Sequence, residues 1–316
     1  MFKSTTLYPT WTKSHTVSHK AASSDLSSFL LYINDIANCT TPILTFYLFA
    51  DDTTIFLSMK NLQDLEDTLN RELQHVSHWL IANKLSLNVK KSNALLFRTS
   101  NDSTELKLNI SLNGSPIEEK SKAKYLGILL DNKLSYEHHT KHVRSKLIKG
   151  NAILIKTRHF IPSDILTNTY NAHIHSHIDY GFNVWGYAAQ THIKNVLTQQ
   201  KKAVRILNWK KKTHESKPLF KASKILPLDA NLQLNSGKLL WKVSNSTICP
   251  SLIPLFTKRD NNSNTFHVPH RRLDVSQNSL TYKGVKNWNS IPLEIRSSPT
   301  LDTFKHKYKT HLLNTF

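Results

Sequence analysis

Apolar residues along this chain follow two different spacings, close alternation in short runs before about residue 130, and three- and four-residue steps that appear at 62–80 and prevail beyond 135. The densest apolar stretch, residues 43–57, reads ILTFYLFADDTTIFL. Its two arms are rich in aromatic and β-branched residues and meet at the adjacent carboxylates Asp51 and Asp52. Arms this short predict a tight β-hairpin with two acids at its tip. Side chains of a strand alternate between faces, so the two acids cannot both point the same way. Beside apolar strands they repel each other and lose solvation, a cost that a divalent cation relieves most directly. A polar Asp-Asp-Thr turn with no further role is the other reading.

The pattern continues in order. Asn61 is a candidate N-cap with Asp64 in the first turn, and Leu62, Leu65, Leu69, Leu73, Val76 and Leu80 predict an amphipathic helix to about Ala82, covering one face of the hairpin's sheet. Residues 88–97 read as a turn and a strand with Lys90 and Lys91 at its start. Residues 106–112 alternate apolar with polar, Asn113-Gly114 is a type I′ hairpin dipeptide, and residues 124–130 are the expected returning strand. Three helices follow. Residues 135–159 turn Val143, Leu147, Ile148, Ala152 and Ile155 inward; residues 163–180 form the second; residues 191–209 carry Ile193, Leu197, Val204 and Leu207 as a stripe. Together they predict a small bundle. Residues 213–316 mix short helices with Pro breaks and an Asn/Ser-rich loop at 260–264, whereas residues 1–24 are polar and aperiodic and read as a loose arm.

A chain of 316 residues, 39% hydrophobic, is large enough to bury one or two cores. Cys39 and Cys249 lie far apart and outside any Cys/His ligand spacing, which argues against a disulfide scaffold or zinc finger and fits a reducing, intracellular setting. The first 20 residues lack the apolar core of a signal peptide, and no segment approaches the ~18 apolar residues of a membrane span. The expectation is a protein neither secreted nor integral to a membrane, in nucleus or cytoplasm. Its formal charge of +20 is unevenly placed. Residues 1–130 hold 13 basic against 12 acidic residues, and residues 131–316 hold 29 against 10. A near-neutral part beside a strongly cationic one suits chemistry next to polyanion binding, since lysines and arginines release counterions from a phosphate backbone. A solvated basic surface or an anionic lipid partner gives the same balance.

Phe49-Ala50-Asp51-Asp52 followed by Thr53-Thr54 resembles the catalytic core motif of reverse transcriptases of non-LTR (LINE-type, jockey-like) retrotransposons. Three further segments are similar to family motifs in the same order: Tyr32-Ile33-Asn34-Asp35-Ile36, then Leu85-Ser86-Leu87-Asn88 with Lys91-Ser92, then Tyr125-Leu126-Gly127-Ile128 with Leu130-Asp131. The resemblance covers roughly residues 25–131. It implies an α+β fold: a flexible arm at 1–24, a partial polymerase palm at 25–131 (antiparallel sheet with covering helices), an α-helical thumb at 132–212, and a mainly helical basic C-terminal region at 213–316.

The implied activity is RNA-directed DNA polymerisation by two-metal nucleotidyl transfer, with RNA template and DNA primer as partners. By that resemblance Asp51 and Asp52 would be the catalytic, Mg²⁺-binding residues, and Lys91 would offset charge on the departing pyrophosphate or donate its proton, two solvated lysines before a strand being the other reading of Lys90 and Lys91. The resemblance implies that Tyr125, Leu126 and Gly127 support the primer strand, a bulge at Gly127 with no such role being the other reading. Lys141, Arg144, Lys201, Lys202, Arg205, Lys210, Lys211 and Lys212 follow the duplex through its phosphates. Two departures accompany the likeness. A Gln-Gly-Ser element expected upstream reads Lys20-Ala21-Ala22, and the further metal-binding Asp of the family has no counterpart, since no Asp precedes Asp25. The expectation is therefore the C-terminal half of such an enzyme, its two-metal site incomplete and the chain inactive alone. The alternative is a nucleic-acid-binding remnant without catalysis. His75 with His78, His138 with His142, and His173 with His177 sit at helical spacings, but without acidic or Cys partners they read as ordinary polar residues rather than metal ligands.

Overall fold

The computed structural model describes residues 3–8, 11–12, 28–29, 31–98, 107–259 and 264–315. It combines helices with small, mostly antiparallel sheets and divides into two compact units, residues 1–134 and 135–316.

In the first unit a five-stranded sheet is built from β1 (Lys3–Tyr8), β3 (Thr45–Phe49), β4 (Asp52–Met59), β6 (Asn93–Phe97) and β9 (Glu118–Glu119), in the order β3-β4-β1-β6-β9. All neighbours are antiparallel except β6 and β9. A second, two-stranded ladder joins β2 (Trp11–Thr12) to β5 (Ser86–Leu87). Within the expected loose arm, residues 3–8 and 11–12 are therefore strands, and the rest of residues 1–24 lies outside the described residues. Polar composition hid β1 because its ladder is a backbone property: β4 and β6 each present an open edge, and β1 hydrogen-bonds to both.

The predicted amphipathic helix is α1 (Leu62–Ala82), capped by the Asn61 side chain accepting from the Gln63 N–H at 3.1 Å. Its Leu65, Leu69, Leu73, Val76 and Leu80 bury against Ile55, Leu57, Ala94 and Leu96 on one sheet face. Fully buried Glu72 accepts the Thr41 N–H at 2.9 Å, tying α1 to the turn that leads into β3. Burial alone would raise the Glu72 pKa, but the Thr41 bonds and His75 outweigh it, and the carboxyl is held below its ordinary range.

Asn113 and Gly114, with φ of +51° and +72°, form the predicted turn, joining β7 (Ser111–Leu112) to β8 (Ser115–Pro116). Residue 106 of the expected first strand lies outside the described residues. The expected returning strand at 124–130 is corrected. Leu126 and Gly127 have φ of +42° and +84°, so the chain reverses there and forms its own hairpin from β10 (Lys122–Tyr125) and β11 (Ile128–Asp131). An apolar run that includes glycine can be one strand or two, and the left-handed pair decides for two.

In the second unit α2 (Glu137–Thr157) runs beside α6 (Gln190–Leu207). Asn151 Nδ2 donates to Gln199 O at 3.1 Å, and Arg158 stacks on Trp209, which follows α6, at 4.8 Å, so the two helices run in the same direction. Between them the chain returns through α3 (Ser163–Tyr170), a π-helical turn (Asn171–His175) and α4 (Ser176–Asp179), completing the expected three-helix arrangement. The inward stripe of α2 is rotated from the expected one. Val143 and Leu147 are buried, joined by Gly150, Asn151 and Leu154, whereas Ile148, Ala152 and Ile155 face solvent. Close approach explains the shift: a Cβ on Gly150 would lie 2.6 Å from the His173 carbonyl oxygen and 2.7 Å from Ile174 Cδ1, so the smallest residue takes the contact and the isoleucines turn outward.

The rest of the unit packs α8 (Leu228–Ser244), α10 (Val285–Ser290) and α12 (Leu301–Thr315) around Trp241, Phe266, Trp288 and Phe304. α5 (Phe182–Trp185), α7 (Lys217–Ala222), α9 (Asp274–Gln277) and α11 (Leu293–Arg296) are short connectors. Gly150→Ala is expected to lower stability by roughly 1–3 kcal/mol through the contact with His173. Ala152→Gln, on the outward face, should change it by about 0.5 kcal/mol or less. Chemical denaturation of the two variants checks both numbers.

Candidate functional site

Strands β3 and β4 form the hairpin expected around the acidic pair. Phe49 is opposite Asp52, leaving a two-residue turn of Ala50 and Asp51. Ala50 takes a left-handed φ of +49°, a conformation that costs a non-glycine residue about 1–2 kcal/mol. Asp51 lies in the turn and is exposed, while Asp52 is the first residue of β4 and half-buried. Neither forms an ion pair among the described residues. Burial, and then the neighbouring Asp51 charge, raise the Asp52 pKa above its ordinary value.

Register fixes what Asp52 shares its face with. Phe46, Leu48, Ile55 and Leu57 point toward α1. On the opposite face Asp52 stands with Tyr47, Phe49, Thr54 and Phe56. Tyr47 and Phe49 are 54% and 62% exposed, large apolar groups beside a carboxylate. The Thr54 hydroxyl is buried with no hydrogen-bond partner among the described residues. Through β1, Phe56 and Leu95 flank the same residue, so Leu95 shares the face of Asp52. There Leu95 packs on Ala123, with Phe97, Tyr125 and Leu130 around them, so the β10–β11 hairpin rests on the sheet face that carries Asp52.

Lys91 ends a short 3-10 turn (Val89–Lys91) whose Asn88 cap accepts the Lys91 N–H at 3.3 Å; it is exposed. Leu7 of β1 is opposite Ile55 on one side and Ala94 on the other, so β4 and β6 begin at the same end of the sheet. Lys91 precedes β6 as Asp51 precedes β4, with one strand between them, a lateral separation of about 10 Å from ladder spacing. Tyr125 is half-buried, and Leu126 and Gly127 form the turn of their hairpin.

The remaining expected contacts lie in the second unit. Lys141 is paired with Glu137, and Arg144 is exposed. On α6, Lys202 is exposed and Lys201 half-buried, while Arg205 Nε donates to His214 O at 2.8 Å and so holds the connection after the helix. Lys210, Lys211 and Lys212 are exposed on that connection, next to Trp209, which is 53% exposed and packed against Arg158 and His159. Sequence reasoning gave Tyr47 no role and quoted Phe49 and Thr54 only as part of the motif around the acids. Both arms of the hairpin are apolar at nearly every position, so only the observed pairing separates the open face from the packed one.

A divalent cation implied by such a site can be tested against the donors present. Two unpaired carboxylates at an open tip, one with a raised pKa, are hard oxygen ligands suited to Mg²⁺. They supply part of a site: among the described residues no group of three or more His, Cys, Asp or Glu side chains could hold a metal. No helix among them is long and apolar enough to cross a membrane.

Residues 26–130 match the family model described as reverse transcriptase (RNA-dependent DNA polymerase). The chain is 25% identical over 162 residues to the probable RNA-directed DNA polymerase from transposon X-element of Drosophila melanogaster, covering 50% of this chain and 18% of that protein. It is 26% identical over 184 residues to the RNA-directed DNA polymerase from mobile element jockey of the same organism, and 24% identical to the jockey protein of Drosophila funebris, covering 56% of this chain and 20% of each relative. This chain thus spans about a fifth of the length of those relatives. Residues 26–130, which carry the acidic hairpin, are a reverse transcriptase-like domain. Its relatives are the RNA-directed DNA polymerases of mobile elements of the non-LTR, LINE type, at modest identity over about half the chain.

Asp52→Asn tests the electrostatics of the tip. A carboxyl whose folded-state pKa is raised lends stability below its unfolded value of 3.8 and loses it as pH rises through the folded value. The variant should therefore gain stability over the parent at neutral pH, and the difference should vanish at pH ~3. Thermal melts across that range would show it.

Proposed function

We propose that this chain is the portion of a mobile-element reverse transcriptase that carries the second and third carboxylates of a two-metal nucleotidyl-transfer site, with residues 25–131 as part of the palm, 132–212 as the thumb and 213–316 as a basic accessory region. The single observation behind this reading is that the family match coincides with a hairpin presenting Asp51 and Asp52 unpaired at its tip. Asp51 and Asp52 would hold Mg²⁺, which supplies charge neutralisation for the attacking primer hydroxyl and the leaving pyrophosphate. Lys91, at the same end of the sheet, offsets negative charge on the leaving group or returns a proton to it. Exposed Tyr47 and Phe49 give the primer terminus an apolar shelf beside Asp52, and the hairpin turning at Leu126 and Gly127 steadies the strand from the β6 side. Lys141, Arg144, Lys201, Lys202, Arg205 and Lys210, Lys211 and Lys212 contribute a phosphate-attracting field in proportion to their freedom, least for Lys141 and Arg205, which are already engaged.

Asp25 and Asp35, the carboxylates that precede Asp51 in this sequence, are poor substitutes for the family's further metal ligand, and in our reading these 316 residues do not polymerise alone. Purified protein given an oligo(dT) primer on a poly(rA) template with Mg²⁺ or Mn²⁺ should extend it no more than Asp51→Ala does. Extension by the parent that is abolished in Asp51→Ala would overturn this.

A second reading has its own support in the charge distribution, 29 basic against 10 acidic residues over 131–316. On it the chain is a nucleic-acid-binding remnant without catalysis. Primer–template duplex should then bind regardless of sequence and of Asp51→Ala, and the affinity should fall by roughly 10³-fold or more between 50 and 200 mM salt if at least six phosphates are contacted. Binding that persists at ~0.5 M salt, or is absent at low salt, rules it out.

A further inference from the structure

Reverse-transcriptase chemistry leaves residues 213–316 without a task, yet they close a cavity of about 350 Å³ in the second unit. Its wall combines Tyr170, His175 and Asp179 from the returning arm of the helical bundle with Lys224 after α7, Lys238 on α8, and Lys305 and Lys309 on α12. An adjoining cavity of about 420 Å³ shares Lys238 and Lys305 and adds Lys242. The charges act on one another: Lys309 feels Lys305 and Lys224, and Lys238 feels Lys305 and Lys242.

None of the five makes an ion pair among the described residues. Two acids line the cavities, Asp179 and Asp302. Asp179 draws Lys238 electrostatically, but its Oδ1 is already taken by the side-chain amides of Asn231 and Asn235. Burial, followed by the neighbouring lysines, pushes the ammonium groups of Lys238 and Lys309 below their usual range. A solvated basic face accounts for exposed Lys224 and Lys305. It does not account for two half-buried lysines directed into a shared cavity, an arrangement that costs free energy until an anion fills it.

We propose that this lysine-lined cavity binds a ligand bearing two or more phosphates, held by Lys238, Lys305 and Lys309 with Lys224 and Lys242 at its ends. The ammonium group, a compact point charge with three donors, suits phosphate oxygens. Clustered phosphates come from two sources, a stretch of nucleic-acid backbone or a free polyphosphate. The site is independent of the polymerase reading, and failure of primer extension leaves it untouched.

Titration calorimetry of the full chain with sodium tripolyphosphate in 0.1 M NaCl should give saturable binding, at least tenfold weaker in Lys238→Met/Lys309→Met. Ligand should raise the melting temperature of the parent and not of the double variant. Without ligand the variant should melt no lower than the parent, because a repulsion has been removed; if it fails to fold, exposed Lys305→Ala carries the same test. A 12-nucleotide single-stranded DNA that displaces tripolyphosphate identifies the backbone as the source, and one that does not identifies the free polyphosphate. Heats that do not saturate, or that are equal in parent and variant, overturn the proposal.

Discussion

The period-two alternation of β4 is the constraint on which the first unit depends. One set of its side chains, Ile55 and Leu57, has to meet α1, so the other set, beginning with Asp52, is committed to the opposite face. A slip of one residue would bury the carboxylate under Leu69 and Leu73 and expose the isoleucine. The apolar contact with α1 thus fixes the direction of a charged group on the far side of the sheet. The two-residue turn completes this, holding Ala50 left-handed so that Asp51 and Asp52 follow at once.

Much of this was legible from residue order. The hairpin, the capped amphipathic helix, the Asn113-Gly114 turn and the helical bundle each rest on local rules, and local rules are what a sequence displays. Features set by distant partners were not legible. Lys3–Tyr8 is a strand because two other strands leave room for it, and nothing in Lys-Ser-Thr-Thr-Leu-Tyr announces that. The inward face of α2 was misread for a related reason: hydrophobicity favours Ile148 and Ile155, but the proximity of the π-helical turn selects Gly150 and Asn151. At the site, the two acids could be found from the motif they stand in. The exposed aromatic neighbours could not, because an apolar arm does not say which of its faces stays open.

The two units carry unbalanced charge of opposite sign. In the first, the acids at the hairpin tip have no cationic partner among the described residues, and the half-buried one is pushed toward its neutral form. In the second, unpaired lysines line enclosed space and are pushed the same way. Both arrangements carry an electrostatic cost that a counter-charge would lower, the divalent cation proposed for one and the phosphate proposed for the other. Such unbalanced groups mark positions where stability alone would have selected different residues.

The central position of β1 also bears on how the sheet assembles. Its partners lie about 50 and about 90 residues further along the chain, whereas β3, β4 and α1 are sequence neighbours. Closing those long loops carries an entropic penalty that the hairpin and helix do not meet. On that ground the β3–β4–α1 element is expected to form first, with the sheet becoming continuous once the amino-terminal segment enters between β4 and β6.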